Sequence, residues 1–514
     1  MRAALQIDGL ARIDETRLRV SNAHGPDATV FATSEVPIES SAVAELRGFL
    51  EAGLTVEQLK EQVPGFFGEA DPEIKKVSVT PDFHKGAGVP IGTVIATKGF
   101  MIPQAIGNDV NCGMRLHLTG LSRQQVESNL DQLETRLRHL FFEGGRNIPM
   151  TRAQREALFR GGLLGLMEAV PKTQQDGLWG LFHELNLEEQ LERIHSLGSL
   201  HADRVLGLDD FLGPETGLSR DAQIGSIGGG NHFVELQVVE KILDGSAAHA
   251  WGLKEGQVVI MVHTGSVMIG HLCGQYYREV VKKLFPNGVS RPNNGVYLLP
   301  TEGRFEEETS VFRDALHNAA NFAFANRMFL AVIALKALHE VCGETESELL
   351  YDAPHNLVWE EELNGEKVFL HRKGATPARG VEAMAGTPFA YYGEPVLVPG
   401  SMGASSFLLA GMGNEDSLFS ASHGAGRALS RGQALKVGEE QFQQFLERFR
   451  VVTPVDFRRP DLRLRPDILK EKLADIKKEA PFAYKGIGPV IDTLNRAGIA
   501  RTVAQLHPLL TVKG

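Results

Sequence analysis

Three features of the sequence predict a mixed fold of sheets and helices. From Lys76 onward, short apolar strands broken by glycine and proline follow one another as KVSVTPDF, HKGAGVPIGTVIAT and IPQAIGNDVNCGMRLHL. An alanine- and phenylalanine-rich stretch, Thr309 to Glu340, reads as one buried central helix ending before Gly343. At 514 residues the chain exceeds the size at which one core stops growing, so one large elaborated domain or two to three smaller ones is expected.

Composition narrows the class of function. Hydrophobic residues make up 43% and charged residues 23%, and no run approaches the roughly 18 apolar residues of a membrane helix. The N-terminal MRAALQIDGLARIDETRLRV carries acids and arginines where a secretory signal has an apolar block, so a cytoplasmic, membrane-free protein is expected. A net charge of -11 argues against a broadly basic nucleic-acid coat while leaving room for a local basic cleft. Only Cys112, Cys273 and Cys342 are cysteines, too few for a disulfide framework.

Taken in order, Ser40 and Ser41 are expected to cap a helix through VAELRGFLEA, closed by Gly53, and Thr55 to cap a second, TVEQLKEQ, ended by Pro64. His84 and Lys85 fall in a turn, placed either to meet a phosphate or to face solvent. Ser122 to Phe142 has helical periodicity and ends at Gly144 and Gly145. The following segment is helical by pattern as far as the linker-like GPETGLSRDAQ. Within the central helix Asn318, Asn321 and Asn326 need hydrogen-bond partners, either behind metal ligands or along neighbouring loops.

The chemistry centres on IGNDVNCG, where the carboxylate of Asp109 precedes the thiol of Cys112 by three residues. Downstream, GSIGGGNHFVELQ sets three glycines before Asn231, His232 and Glu235, a backbone suited to an anion. The strand QVVIMVHTGS ends at His263, and DAPHNLV brings His355 and Asn356. Asp109, Cys112, His232, His263 and His355 form an O, S and N set suited to two borderline divalent ions bridged by the thiolate. Singly, each also fits a satisfied core residue, and no H-E-x-x-H or C-x-x-C ties them together. Arg372, Lys373 and Arg379 form a candidate basic patch, and Ser401, Ser405 and Ser406 a candidate nucleotide cradle. His423, in SHGAGR with Arg427 four positions on, has small neighbours that leave room for a bulky adduct.

The segments PDFHKGAGVPIGTVIATKGFMIPQAIGNDVNCGMR, GGGNHFVE, HTGS, PGSMGASSF, SHGAGR and AYKGIGPV occur in the order found in the RtcB family of RNA ligases, which the chain resembles from Val77 to Gly514. The resemblance implies a single large α+β domain over residues 76–514, with mixed β-sheets flanked by helices. Residues 1–75 are left as a poorly matched N-terminal strand and helical segment. It implies two manganese ions held by Asp109, a bridging Cys112, His232, His263 and His355, and a guanylylated His423. It implies GTP as co-substrate, held by Asn231, His232, Phe233, Val234, Glu235, His355, Asn356, Pro399, Gly400, Ser401, Met402, Ser406, His423, Gly424, Ala425, Gly426 and Lys485. The substrates so implied are RNA ends bearing a 3′-phosphate or 2′,3′-cyclic phosphate and a 5′-hydroxyl, in RNA repair or tRNA splicing, with or without an activating partner protein. A metal-dependent RNA end phosphohydrolase or cyclic phosphodiesterase that does not ligate is the alternative. Val267 stands where the family commonly has an arginine, and Arg450, Arg458, Arg459 and Arg463 are either an RNA-backbone contact or a solvated face.

Overall fold

The computed structural model describes residues 9–514 other than 222, 344–345 and 460–464, so Arg463 lies outside the described residues. Two sheets carry the fold. The first runs in the order Leu10–Arg12, Arg17–Val20, Ala28–Phe31, Glu73–His84, Ile91–Lys98, Glu366–Lys373 and Asn356–Leu363. The second runs Ser347–Pro354, Gly113–Ser122, Gln257–Thr264, Phe233–Ile242, Ala500–Val512, Ser406–Gly411 and Pro395–Val398, with Arg450–Val452 lying parallel beside Ala500–Val512. Apart from that pair and the parallel pairing of Ala28–Phe31 with Glu73–His84, these neighbours are antiparallel.

The N-terminal segment is built into this architecture. Its three strands extend the first sheet, and Val20, Val30, Leu46 and Leu59 join the same apolar cluster as Phe324 and Leu335 of the central helix and Val258 and Leu510 of the second sheet. One continuous core of this kind is what makes the chain a single large α+β domain. The expected helices form at Ser40–Leu50 and Ala52–Gln62, but neither expected serine caps. Glu39 occupies the first N-cap and Glu51 the second, without side-chain hydrogen bonds to the helix, and Thr55 lies inside the second helix.

The central helix spans Glu306–Cys342, with Glu306, Glu307 and Glu308 in its first turn, where the helix dipole favours anions. By length and composition it would cross a bilayer, yet 89% of its most apolar stretch is buried among the sheets and helices of this domain. It packs on Arg152–Ala169, Leu130–Phe142, Val267–Leu284 and the strand Gln257–Thr264. Its asparagines tie down loops. The Asn318 amide donates to the Phe159 and Arg204 carbonyls, Asn321 to Phe159 and Leu200, and Asn326 to Ser226 and Gly265. Ser122–Phe142 divides into two helices, Arg123–Glu127 and Leu130–Phe142, because Ser122 forms a capping box with Gln125 and Asn129 starts the second.

Candidate active site

Strand register gathers what the sequence scatters. In the second sheet Gly113 begins its strand opposite Thr264 and Pro354, which end theirs, and Phe233 begins opposite His263. Cys112, His263, His355 and His232 therefore emerge together at one end of four adjacent strands. Asp109 joins them through a turn in which the Cys112 amide donates to the Asp109 carbonyl at 3.1 Å. Cys112 Sγ lies 3.2 Å from His232 Nε2 and 3.4 Å from His263 Nε2, which is itself 3.4 Å from His355 Nε2. Two donor groups result, Cys112–His263–His355 and Asp109–Cys112–His232, and Cys112 belongs to both.

In the second group Asp109 Oδ2 is buried without a hydrogen-bond partner, which fits an oxygen held for a cation. His232 Nδ1 stands 3.1 Å from the Ile227 carbonyl, which can only accept, so in the neutral ring Nδ1 carries the proton and Nε2 a lone pair. That lone pair faces Asp109 Oδ2 at 2.9 Å as well as the Cys112 sulfur. Burial pushes His263 and His355 well below the ordinary imidazole range, so both are neutral donors. Burial, with the Asp109 charge beside it, pushes the Cys112 thiol well above its ordinary value, and the Arg327 guanidinium works in the opposite direction.

The supporting shell is rigid. Asp109 accepts from the Val267 amide at 3.0 Å and the Ser266 hydroxyl at 3.3 Å. The loop lies so close that a Cβ on Gly265 would stand 2.5 Å from the Asp109 carboxylate, so no larger residue fits there. Val267 pays with a φ of 52°, a left-handed conformation that strains a β-branched residue. Arg327, fully buried on the central helix, donates to the Asn111 carbonyl at 2.6 Å, the Thr264 carbonyl at 3.2 Å and Asp352 at 2.9 Å. One side chain thus braces the three chain segments that deliver Cys112, His263 and His355.

His423 stands beside this cluster, its ring centroid 4.7 Å from that of His355. Its Nδ1 is 2.7 Å from Asp82 Oδ2, and Thr80 donates its hydroxyl to the other carboxylate oxygen at 2.5 Å. Burial acts to raise the Asp82 carboxyl, but His423 and the Thr80 hydroxyl outweigh it and leave the group below its ordinary value. Asp82 thus faces His423 Nδ1 at ion-pair distance, and Nε2 is the other ring nitrogen.

A cleft of about 450 Å³ lies over both features. Of the residues expected to hold a nucleotide, Asn231, His232, Phe233, Glu235, His355, Asn356, Pro399, Gly400, Ser401, Met402, His423, Gly424, Ala425 and Gly426 line it, as do the ligand candidates Asp109, Cys112 and His263. Val234, Ser406 and Lys485 do not. Val234 is buried on the strand face opposite Phe233 and Glu235, as the two-residue period requires. The Ser406 hydroxyl is buried against Gln237, 2.9 Å away, and the Lys485 ammonium donates to the Phe83 carbonyl. The lysines that do line the cleft are Lys85, Lys373 and Lys513, and the Lys513 ammonium donates to the carbonyls of Gly230 and His232, the latter at 2.8 Å. Burial pushes Lys513 down to about 8 and Glu235 up to about 7.

The expected basic patch is internal. Arg372 pairs with Glu361 at 3.1 Å, Arg379 with Glu394 at 2.9 Å, and Lys373 is buried at the cleft wall. On the other candidate surface Arg450 pairs with Asp131 and Glu134, and Arg458 with Glu134 and Asp456, so those acids neutralise much of that face. Asp82, Lys513 and Arg278 line or serve the site and were not singled out by sequence. Asp82 sits inside the glycine-rich PDFHKGAG segment, whereas Lys513 follows an apolar strand with nothing local to mark it.

A shared thiol, three imidazoles and a carboxylate beneath an imidazole–carboxylate pair fit a metal-dependent enzyme. The RtcB family, described as tRNA-splicing ligase RtcB, matches residues 70–514. The tRNA-splicing ligase RtcB of Thermococcus kodakarensis is 35% identical over 465 residues, covering 86% of this chain and 89% of that protein. The RNA-splicing ligase RtcB of Mycobacterium tuberculosis is 33% identical, covering 84% and 96%. The tRNA-splicing ligase RtcB of Methanocaldococcus jannaschii is 32% identical over 88% of this chain and 44% of a longer protein. The chain belongs to the RtcB family.

Proposed function

We propose that this protein is a GTP- and manganese-dependent RNA ligase that joins a 3′-phosphate or 2′,3′-cyclic phosphate end to a 5′-hydroxyl end. Family membership supports the RNA-ligase part of the reading. The observation that carries the rest is the pairing of two donor groups that share Cys112 with a histidine whose Nδ1 is engaged by Asp82.

Asp109, Cys112, His232, His263 and His355 would hold the metal ions. Bound there, they supply charge stabilisation for the phosphoryl oxygens. His423 Nε2 attacks the α-phosphorus of GTP, forming a phosphorus–nitrogen bond as pyrophosphate leaves. Asp82 holds the imidazole in the required tautomer and stabilises the charge the ring acquires. The GMP passes from His423 to the RNA 3′-phosphate. The 5′-hydroxyl oxygen then attacks that phosphorus and expels GMP, sealing the strand. Glycines around Asn231 and His423 let backbone amides approach the phosphates, and Lys513 lines the cleft beside Asn231. A reducing compartment such as the cytoplasm suits a cluster that depends on a free thiol.

The test is incubation with a 3′-phosphate strand and a 5′-hydroxyl strand, with GTP and manganese present together or singly. Joining that requires both supports the reading. Opening of a cyclic phosphate without joining, and without dependence on GTP, would replace it with the phosphohydrolase alternative.

A further inference from the structure

The N-terminal helix Ser40–Leu50 lies outside the span matched by the family, yet its Glu45 holds a loop that lines the cleft. The loop after His84 lines that cleft through Lys85, Gly86 and Ala87. Charged side chains grip its backbone from two directions. The amides of Gly86 and Gly88 donate to the two oxygens of Glu45 at 2.6 and 2.9 Å. The carbonyls of Ala87 and Val89 accept from the Lys373 ammonium at 3.4 and 2.7 Å. Gly88 has a φ of +79°, so the tight turn that aims both amides at one carboxylate depends on glycine.

This part of the cleft is chemically distinct from the part assigned to the nucleotide. Lys513 and Arg431 stand with Gly230 and Glu479 beside Asn231, whereas Lys373 stands against Ala87, and Arg278 donates to Asn108. Lys85 and Arg278 give the second wall two cations, with the buried Lys373 behind the loop, the complement of a phosphodiester backbone.

We propose that Glu45 is a positioning residue for RNA: by holding residues 86–89 in one shape, it sets the cationic wall against which the RNA strand lies. The inference rests on the ligase reading. Charge-assisted bonds to two amides make the carboxylate a stronger clasp than a neutral acceptor. Its loss strands two partly buried donors and removes the anion nearest Lys373, whose ammonium burial already pushes down to about 8. Glu45 touches neither the donor cluster nor His423, so nucleotidyl transfer to the protein is unaffected by its removal.

The experiment compares wild type, Glu45→Gln and Glu45→Ala by hydrogen exchange across residues 84–90, GMP-adduct yield and RNA-joining kinetics. Glu45→Ala is expected to speed exchange at Gly86 and Gly88 and to raise KM for RNA about tenfold, with adduct yield unchanged. Glu45→Gln, which keeps one carbonyl acceptor, falls between. An unchanged KM in Glu45→Ala overturns the proposal, and so does loss of adduct formation in step with joining, because that marks general destabilisation. A wild-type protein that neither forms adduct nor joins RNA overturns the ligase reading itself, and that result is seen without any variant.

Discussion

The Cys112 cluster and the His423–Asp82 pair lie side by side, both built from an imidazole against an acidic group, yet they differ in what else surrounds the ring. In the pair, His423 Nδ1 and Asp82 Oδ2 stand 2.7 Å apart, and Thr80 donates its hydroxyl to the other carboxylate oxygen. In the cluster, His232 Nε2 lies 2.9 Å from a carboxylate oxygen of Asp109 and 3.2 Å from the Cys112 sulfur, so three atoms of metal-ligand type stand together. Arg327 and the strand ends hold these atoms in place, and the donor set fits a metal ion. The lesson is that similar side chains take opposite roles according to which ring nitrogen the backbone has already claimed.

The strongest way to break the comparison is to remove the atom common to both donor groups. Cys112→Ala should abolish metal retention and lower adduct formation by more than about 10³-fold, checked by metal analysis alongside labelled-GTP transfer. Normal metal content in that variant would refute the shared-ligand assignment. Asp82→Asn tests the other member. It should leave metal content intact while slowing adduct formation by roughly 10²–10⁴-fold, because the amide no longer fixes the Nδ1 proton.

Titration sharpens the contrast next. The Cys112 thiol is held well above its ordinary value, so it is protonated at neutral pH until metal displaces the proton. Manganese affinity should therefore rise with pH, by about tenfold per unit if one proton is released, and calorimetry in buffers of different ionisation enthalpy would count that proton. Affinity independent of pH between 6 and 8 would contradict a thiolate ligand. The smallest effect concerns the backbone that holds Asp109. Val267→Gly should gain roughly 1 kcal/mol in denaturant unfolding by relieving the left-handed conformation, with metal content unchanged.

The sequence made the strands, the central helix and all five donor residues legible, because apolar periodicity and motif spelling are local properties. Assembly was not local. Only the register that sets Gly113 against Thr264 and Pro354, and Phe233 against His263, brings the donors to one end of the second sheet. Lys485 was read from a late glycine-containing segment, while Lys513 reaches the cleft because the last strand, Ala500–Val512, threads the middle of that sheet. The arginines of the candidate basic surfaces were visible as charges, but their partners Glu134, Glu361 and Glu394 lie far away in sequence. Asn318 and Asn321 illustrate the same limit. Their need for partners followed from burial, whereas their choice of the Phe159 carbonyl on a neighbouring helix and of loop carbonyls, over the metal site, followed from packing.

The most direct measurement is incubation of the manganese-loaded protein with α-labelled GTP, followed by denaturing electrophoresis, with His423→Ala alongside. The account predicts an acid-labile GMP adduct on the wild-type chain and none on the variant. A folded, metal-loaded wild type without adduct, or an adduct that persists in His423→Ala, would contradict it.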